Sequence, residues 1–156
     1  MSAPLNTFDP RLLTESAFGL MISGFLPDLA IFTSGSTDEI KHPGLLIRCR
    51  DQAEELAPGS GVFKQRVELE LQVKPDTLDP ETTSSLIRSL RQTFYRNDLT
   101  NRGPMQDLAL RLTAASAVPL TVYGVIARPE GEVEVSQEMR LYAYRWEFEI
   151  HATPTR

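Results

Sequence analysis

The side chains that could support catalysis or metal binding are few in this chain of 156 residues. It contains one cysteine, Cys49, and two histidines, His42 and His151. Cys49 follows the alternation of Leu45 and Ile47, which favours a small buried hydrophobe over a nucleophile. Neither histidine has a second ligand at metal-site spacing, and a single cysteine excludes an intramolecular disulfide. These residues predict no metal site, no cofactor and no enzyme.

Two short glycine-rich segments were compared with phosphate-binding loops. Residues 34–36 (Ser-Gly-Ser) and residues 59–61 (Gly-Ser-Gly) both lack the Gly-Lys-Ser/Thr ending that such a loop needs. Both are therefore predicted to be loops. A pocket beside residues 34–42, where acids accompany His42, leaves a small ligand-binding domain or enzyme as an alternative.

Composition and charge exclude several classes of protein. The net charge of −5 disfavours a nucleic-acid binder, which needs clustered Lys and Arg. The longest apolar stretch, residues 17–26, falls short of the roughly 20 apolar residues of a membrane span. Residues 1–7 lack the positive charge of a signal peptide. We expect a protein made in the cytoplasm, with one core and no membrane segment.

Two Asp-Pro pairs mark helix starts, because aspartate is a good N-cap and proline suits the first helical position. The first pair, Asp9-Pro10, predicts a helix from about Pro10 to Ile22, and Asp79-Pro80 predicts a second. Pro104 predicts a shorter third helix that ends near Ala115. Positive charge toward the C-terminal half of the second helix suits the helix dipole, and three arginines supply it there: Arg88, Arg91 and Arg96.

The clearest strand signal is the alternation of apolar and polar residues from Val62 to Lys74, which indicates one buried and one solvated face. Shorter strands are predicted at residues 29–33, 45–49 and 120–127, and residues 51–61 are predicted to be a mobile acidic loop. Together these elements predict an α+β domain with a mostly antiparallel sheet of four or five strands and helices packed on one face. The domain is expected to span residues 10–152, between a flexible arm at residues 1–9 and a tail at residues 153–156.

The last part of the chain is predicted to be a hairpin. Its tip is placed at residues 129–132, and its return strand runs from about Val133 to Ala152. Along that strand, the apolar residues change from odd-numbered to even-numbered positions. A bulge near residues 143–145 would explain the switch, and so would burial of both faces.

Charge and aromatic residues give candidates for an interface. Residues 61–103 carry seven Lys and Arg against six Asp and Glu, whereas both flanks are acidic. The arginines of the second helix could meet acids of another copy in a head-to-tail ring, although a solvated helix face would look the same. Trp146 and Phe148 are predicted to lie in the core. The interface candidates are Arg88, Arg91, Arg96, Glu130, Glu132, Glu134, Tyr142 and Tyr144.

The layout resembles the tail-terminator (tail-completion) proteins of long-tailed bacteriophages, of the lambda-like type. A helix, a short strand and a loop precede the Pro-Gly-Leu-Leu-Ile-Arg strand of residues 43–48. An acidic Gly/Pro loop, the alternating strand of residues 62–74 and another helix follow. The chain ends in Tyr-x-Tyr-x-Trp-x-Phe-x-Ile at residues 142–150. The resemblance covers about residues 10–152, with the helix at residues 104–115 as a departure.

The resemblance implies a structural protein of the virion, located in the tail or neck, without a cofactor or catalytic activity. It implies a ring, usually of six copies, that caps the tail tube and joins it to the head connector. The implied partners are further copies of the chain, the tail tube protein and the head–tail connector protein. DNA would pass through the pore without specific binding. A head-completion or neck protein of the same particle is the alternative within this class.

Overall fold

The computed structural model describes residues 9–36, 39–74, 79–96, 103–116, 120–129, 131–136 and 141–154. Within these ranges the chain forms three helices and seven strands. The helices are α1 (Pro10–Phe25), α2 (Pro80–Tyr95) and α3 (Pro104–Ala115). The strands are β1 (Ala30–Thr33), β2 (Gly44–Arg48), β3 (Glu54–Glu55), β4 (Phe63–Val73), β5 (Leu120–Ala127), β6 (Gly131–Ser136) and β7 (Leu141–Pro154).

The strands form one mostly antiparallel sheet. Its main path runs β1-β2-β4-β7-β5, and only the β1–β2 pair along that path is parallel. Two additional strands join it, since β3 pairs with β4 and β6 pairs with β7. The helices pack against the sheet, so the predicted α+β class is confirmed. The main path contains five strands, within the expected number, and β3 and β6 extend the sheet to seven.

The predicted helix starts are confirmed. Asp9 and Asp79 are N-caps whose carboxylates accept backbone hydrogen bonds from the first turn. The first helix continues to Phe25, beyond its predicted end at Ile22, because its interior glycine does not end it. It ends before Pro27, since the residue preceding a proline disfavours the helical conformation. The third helix has its predicted bounds.

The hairpin tip predicted at residues 129–132 is wrong. β5 pairs with residues 148–154 of β7, and β6 pairs with residues 141–145, both antiparallel to it. The chain therefore continues along the same side of β7 from β5 into β6. The Pro-Glu-Gly sequence interrupts the ladder without reversing it, and proline has no N–H to donate there.

The apolar residues of β7 change from odd-numbered to even-numbered positions because both faces of the strand are buried, which is one of the two predicted explanations. The pairing of β4 with residues 142–152 of β7 has no register shift, so the bulge predicted near residues 143–145 does not exist in that ladder. Leu141 and Ala143 are buried although they lie on the face opposite the helices. The register shifts occur instead in β5 and β6.

Aromatic rings form the centre of the core between the helices and the sheet. The Phe94 ring centroid lies 5.4 Å from that of Trp146 and 5.2 Å from that of Phe148. Phe18 of α1 stacks on Phe148 with centroids 5.7 Å apart. All four side chains are essentially inaccessible to solvent. The predicted core placement of Trp146 and Phe148 is therefore confirmed.

Residues 51–61, predicted to be a mobile acidic loop, form a short hairpin with the start of β4. The strand β3 pairs with β4, and the backbone N–H of Leu56 donates to the carbonyl of Val62 at 2.8 Å. Gly59 and Gly61 have φ angles of 78° and 73°, a left-handed region that glycine enters without steric cost.

The predicted N-terminal arm, residues 1–9, lies outside the described residues except for Asp9. The last strand reaches Pro154 and so enters the predicted tail at residues 153–156. Among the described helices, none has the length and apolar character to cross a membrane.

Candidate assembly surfaces

The helix α2 has an apolar side that packs in the core and a basic side that faces outward. Leu90 and Phe94 are fully buried beneath it. Arg88, Arg91 and Arg96, predicted as interface residues, are exposed. Because the buried stripe fixes the rotation of the helix, these positive charges are directed away from the sheet.

Arg111 of α3 holds the C-terminal end of α2. Its guanidinium donates to the backbone carbonyls of Thr93 and, at 3.4 Å, of Arg96. It also lies 3.8 Å from the Asp107 carboxylate. The last carbonyls of a helix lack partners within the helix and attract positive charge. This largely buried arginine therefore fixes the position from which Arg96 projects.

A groove lies between the end of α1 and the last turns of α2, with a volume of about 670 Å³. We call it the α1–α2 groove. Phe25, which is 40% exposed, contributes apolar surface to it. The guanidinium carbon of Arg96 lies 5.3 Å from the Phe25 ring centroid, and that of Arg111 lies 5.7 Å from it, both within cation–π range. Arg91 and Arg96 line the groove, and no acid is found among its described lining residues.

The predicted acidic and tyrosine candidates meet in the β6–β7 pair. The backbone register places Glu132 opposite Tyr144 and Glu134 opposite Tyr142. Both tyrosines are half-buried and pack against the core. Glu130 lies outside the described residues. The structure thus divides the predicted interface residues into two sets on different elements, arginines on α2 and a Glu–Tyr set on β6 and β7.

The face of the sheet opposite the helices carries a polar network that was not predicted. We call it the open face. Arg145 Nε lies 2.6 Å from Glu70 Oε1, and Gln72 Nε2 donates to Glu70 Oε2 at 2.7 Å. Gln72 Oε1 in turn lies 3.2 Å from His42 Nε2. Cross-strand register brings these residues together, and that register could not be read from the sequence.

Glu70 is the most enclosed charge of this network, with 6% of its surface exposed. Burial raises the pKa of its carboxyl, but the hydrogen bonds from Gln72 and Arg145 outweigh burial and set the pKa below its ordinary value. Glu70 is therefore ionised at neutral pH, and its charge is compensated within the chain.

A second ion cluster lies farther along the open face. The Glu149 carboxylate lies 3.0 Å from His151 Nε2 and 3.8 Å from the Arg128 guanidinium. His151 is half-buried and takes part in this cluster. Next to it, the edge strand β5 exposes Tyr123 and Ile126, by 62% and 49%.

Glu15 of α1 was also missed, although it is 2% exposed. Its carboxylate accepts hydrogen bonds from the Ser34 N–H at 2.7 Å, the Ser34 hydroxyl at 2.9 Å and the Cys49 N–H at 3.2 Å. It therefore links α1 to the ends of β1 and β2. A signal was present, because Glu15 precedes Phe18 and Ile22 by three and seven residues and so lies on the buried side of the helix.

Cys49 is buried, as predicted. Burial first, and the nearby Glu15 carboxylate second, raise the pKa of its thiol. A thiol that stays protonated is a poor nucleophile. Within the described part of the chain, no group of three or more His, Cys, Asp or Glu residues is arranged to hold a metal ion.

The ligand-binding alternative placed a pocket beside residues 34–42. A polar cavity of about 380 Å³ lies elsewhere, between the β3 segment and β4, where Asp51, Lys64 and Arg66 contribute to its walls. Neither this cavity nor the α1–α2 groove has a described lining residue from that loop.

Comparison with known proteins finds similarity at the level of fold. No protein-family model matches the sequence, and no curated protein is significantly similar to it. The structure is similar to a chain from a solved structure described as "Virion of native gene transfer agent (GTA) particle", with a TM-score of 0.56 and 8% sequence identity. The match covers 90% of this chain and 93% of that chain. The α+β fold described above is therefore shared, over nearly its whole length, with a chain of a virion.

Proposed function

We propose that this chain is a structural protein of a phage-like virion. The observation that carries the proposal is the fold match to a chain of the gene transfer agent virion, which spans nearly the full length of both chains. A fold alone can serve many functions. The match supports the proposal because it covers nearly the whole of both chains and agrees with the family that the order of elements resembles.

Within the virion, we assign the chain to the tail terminator. Copies of it form a ring, of six by family resemblance, that ends the tail tube and joins it to the head connector. The long strand β7, with its Tyr-x-Tyr-x-Trp-x-Phe-x-Ile pattern, and the preceding α+β order support this assignment. The role requires neither catalysis nor a cofactor, and it places the protein in the tail or neck region.

Two features of the chain suit a ring through which DNA passes. The arginines of α2 and the glutamates of β6 lie on different elements, and a contact between unlike surfaces generates a ring when the rotation between copies closes. Its net charge of −5 disfavours the retention of DNA, since like charges repel.

Deleting the gene from the genome that encodes the particle tests the assignment. Loss of a terminator should give tails of abnormal length and heads without tails, both visible by electron microscopy. Supplying the wild-type gene in trans is the control and should restore joined particles of uniform tail length.

The head-completion alternative predicts a different result in the same experiment. Loss of such a protein should leave free tails of normal length together with heads that lose DNA. Normal tails in the deletion would therefore reject the terminator assignment, and unaltered particles would reject a structural role altogether.

A further inference from the structure

We propose that the outer surface of α1 and α3 packs against the β5 strand of a neighbouring copy. The inference rests on the proposed ring, because it specifies the contact between copies, and the partner is a second copy of this chain. We call the two halves of the contact the helix face and the β5 patch. The β5 patch consists of Tyr123 and Ile126, and the helix face consists of Leu12, Ser16, Leu20, Gln106, Leu110 and Ala114.

The α1 half of the helix face is exposed, apolar and uncharged. Leu12 and Leu20 are 42% and 44% exposed, and the exposed Ser16 lies between them at helical spacing. From Leu12 to Leu26 the sequence contains a single charged residue, Glu15, and that residue is buried. The solvent side of a surface helix ordinarily carries charged and polar residues. The outward side of α1 therefore has the composition of a side that another surface covers.

The α3 half of the helix face has the same character. Leu110 is 43% exposed, and Gln106 and Ala114 lie about one turn to either side of it, both exposed. The charged residues of this helix, Asp107 and Arg111, are largely buried and pair with each other. The helices α1 and α3 pack together, so their outward sides adjoin, whereas α2 exposes both acidic and basic side chains. Depletion of charge is what distinguishes the centre of an interface from other surface.

The β5 patch offers a matching surface on the other face of the domain. Tyr123 and Ile126 are its exposed apolar side chains, and β5 contains no charged residue. Ile126 lies opposite Glu149 of the open face. The helix α3 packs on the helix side of the same strand, and the Val122 N–H donates to Thr113 Oγ1 at 2.9 Å. The helix face and the β5 patch therefore lie on opposite faces of one edge of the domain.

Charge decides which partner suits these surfaces. DNA and strongly charged proteins are attracted by opposite charge, which neither surface provides. Two copies of this chain, each with a net charge of −5, repel each other, and the repulsion is smallest where both surfaces are uncharged. Contact between the helix face and the β5 patch would bury apolar area without removing a charge from water. A second copy supplies the surface that each half lacks.

The location of the two surfaces suits a ring. Each copy would use its helix face toward one neighbour and its β5 patch toward the other. Contacts between two different surfaces repeat from copy to copy and close into a ring when the rotation between copies completes a full turn. A contact of the helix face with itself would instead stop at a dimer.

Two variants of the full chain test the contact. The helix-face variant carries Leu20→Lys and Leu110→Lys, and the β5 variant carries Tyr123→Lys and Ile126→Lys. Each alone should associate at least about tenfold more weakly than wild type, because a lysine in the contact loses its hydration. Native mass spectrometry and sedimentation measure association of the protein alone. The number of copies bound per tail measures it on tails assembled without this gene product.

Mixing the two variants gives the decisive readout. The intact β5 patch of the helix-face variant can bind the intact helix face of the β5 variant, whereas the other two surfaces are blocked. The mixture should therefore form dimers that contain one copy of each variant, without rings, and on tails it should raise the number of bound copies above that of either variant alone. Dimers formed by either variant alone would reject the contact, because an intact surface would then bind its own kind.

A matched control separates this contact from a general effect of added charge. Leu56→Lys with Ala57→Lys places the same two charges on exposed residues of the hairpin that precedes β4, and this variant should assemble like wild type. An equal loss in the control would reject the contact. Circular dichroism establishes that each variant is folded. If a lysine variant unfolds, alanine at the same two positions replaces it, with a smaller expected loss of association.

The outcomes distinguish the contact from the ring function. If the folded variants assemble like wild type, or if the mixture associates no better than either variant alone, the contact is rejected while the terminator assignment stands on the deletion phenotype. Variants that form rings but no longer bind tails would assign the mutated surface to a tail protein and also reject the contact between copies. If the variants behave as expected but the deletion leaves tails unchanged, the contact is kept and the terminator assignment is rejected. A wild-type chain that stays monomeric alone and on tails rejects both.

Discussion

The two faces of the sheet bury side chains by different means. On the helix side, β7 contributes Trp146 and Phe148 to an apolar core. On the open face, β7 contributes Arg145 and β4 contributes Glu70, and the charges of these two residues pair with each other. Both faces contain residues with little solvent exposure, and on the open face the charged Glu70 and Glu149 are buried together with the apolar Leu141 and Ala143.

The difference shows that the two faces contribute unequally to stability and to specificity. Burial of apolar area stabilises roughly in proportion to that area. A buried ion pair stabilises a fold little more than a well-packed apolar pair does, but removing one of its two partners destabilises the fold strongly. We therefore expect the core to hold the fold together, while the open face fixes register between β4 and β7 because only one alignment pairs Glu70 with Arg145.

The largest effect is expected in the core. Trp146→Ala removes a side chain that is 1% exposed and leaves a cavity, so the free energy of unfolding should fall by about 4 kcal/mol. Urea denaturation measures it. Ile126→Ala, at a half-exposed position on the open face, is the control and should change stability by less than about 0.5 kcal/mol. If Trp146→Ala and Ile126→Ala lowered the free energy of unfolding equally, the helix side of the sheet would not be the main source of stability.

An intermediate effect is expected when the open-face pair is broken. Arg145→Leu removes the arginine that pairs with the enclosed Glu70 carboxylate and should lower the free energy of unfolding by about 2 kcal/mol. Changing both residues to leucine should recover at least half of that loss, because no charge is then left unpaired.

The exposed Lys64–Glu54 pair provides the control for this cycle. Its atoms lie 3.3 Å apart, but Glu54→Leu should cost less than about 1 kcal/mol because an exposed pair is screened by water. Additive losses at Arg145 and Glu70 would show that the two charges are not coupled.

The smallest effect concerns pH. The pKa of Glu70 is lowered in the folded chain, so below its ordinary value of about 4.3 the unfolded chain binds a proton that the folded chain does not. The stability that Glu70 contributes is present above that value and is lost as pH falls through the folded pKa. The difference in unfolding free energy between wild type and Glu70→Gln should therefore shrink on going from pH 7 to pH 3. A constant difference would indicate that this carboxyl has the same pKa in both states.

Much of the fold could be predicted because its signals are local. Asp-Pro pairs fixed the starts of α1 and α2, and alternation fixed β4. The course of β5 and β6 could not be predicted, because a Pro-Glu-Gly sequence suits a hairpin tip as well as an interruption in a strand. Only the pairing with β7, set by contacts distant in sequence, distinguishes the two.

The candidate surfaces were predicted in part. Residue type identified the arginines of α2 and the glutamates of β6, since charge is visible in a sequence. The groove beside Phe25 was not predicted, because it forms where the end of α1 lies close to α2 and where Arg111 of α3 lies over the Phe25 ring. The Glu15 contacts were missed for the same reason, as their partners lie on two other elements.

The pairing of β4 with β7 has a consequence for the order in which the protein folds. Phe63 opposes Ala152 and Val73 opposes Tyr142, so roughly 70 to 90 residues separate the paired positions, and such distant contacts form slowly. During synthesis, β4 leaves the ribosome long before its central partner exists. Because β6 also depends on β7 for its ladder, the acidic strand forms only when the sheet is complete. A nascent chain therefore cannot complete the centre of its sheet until β7 has been synthesised.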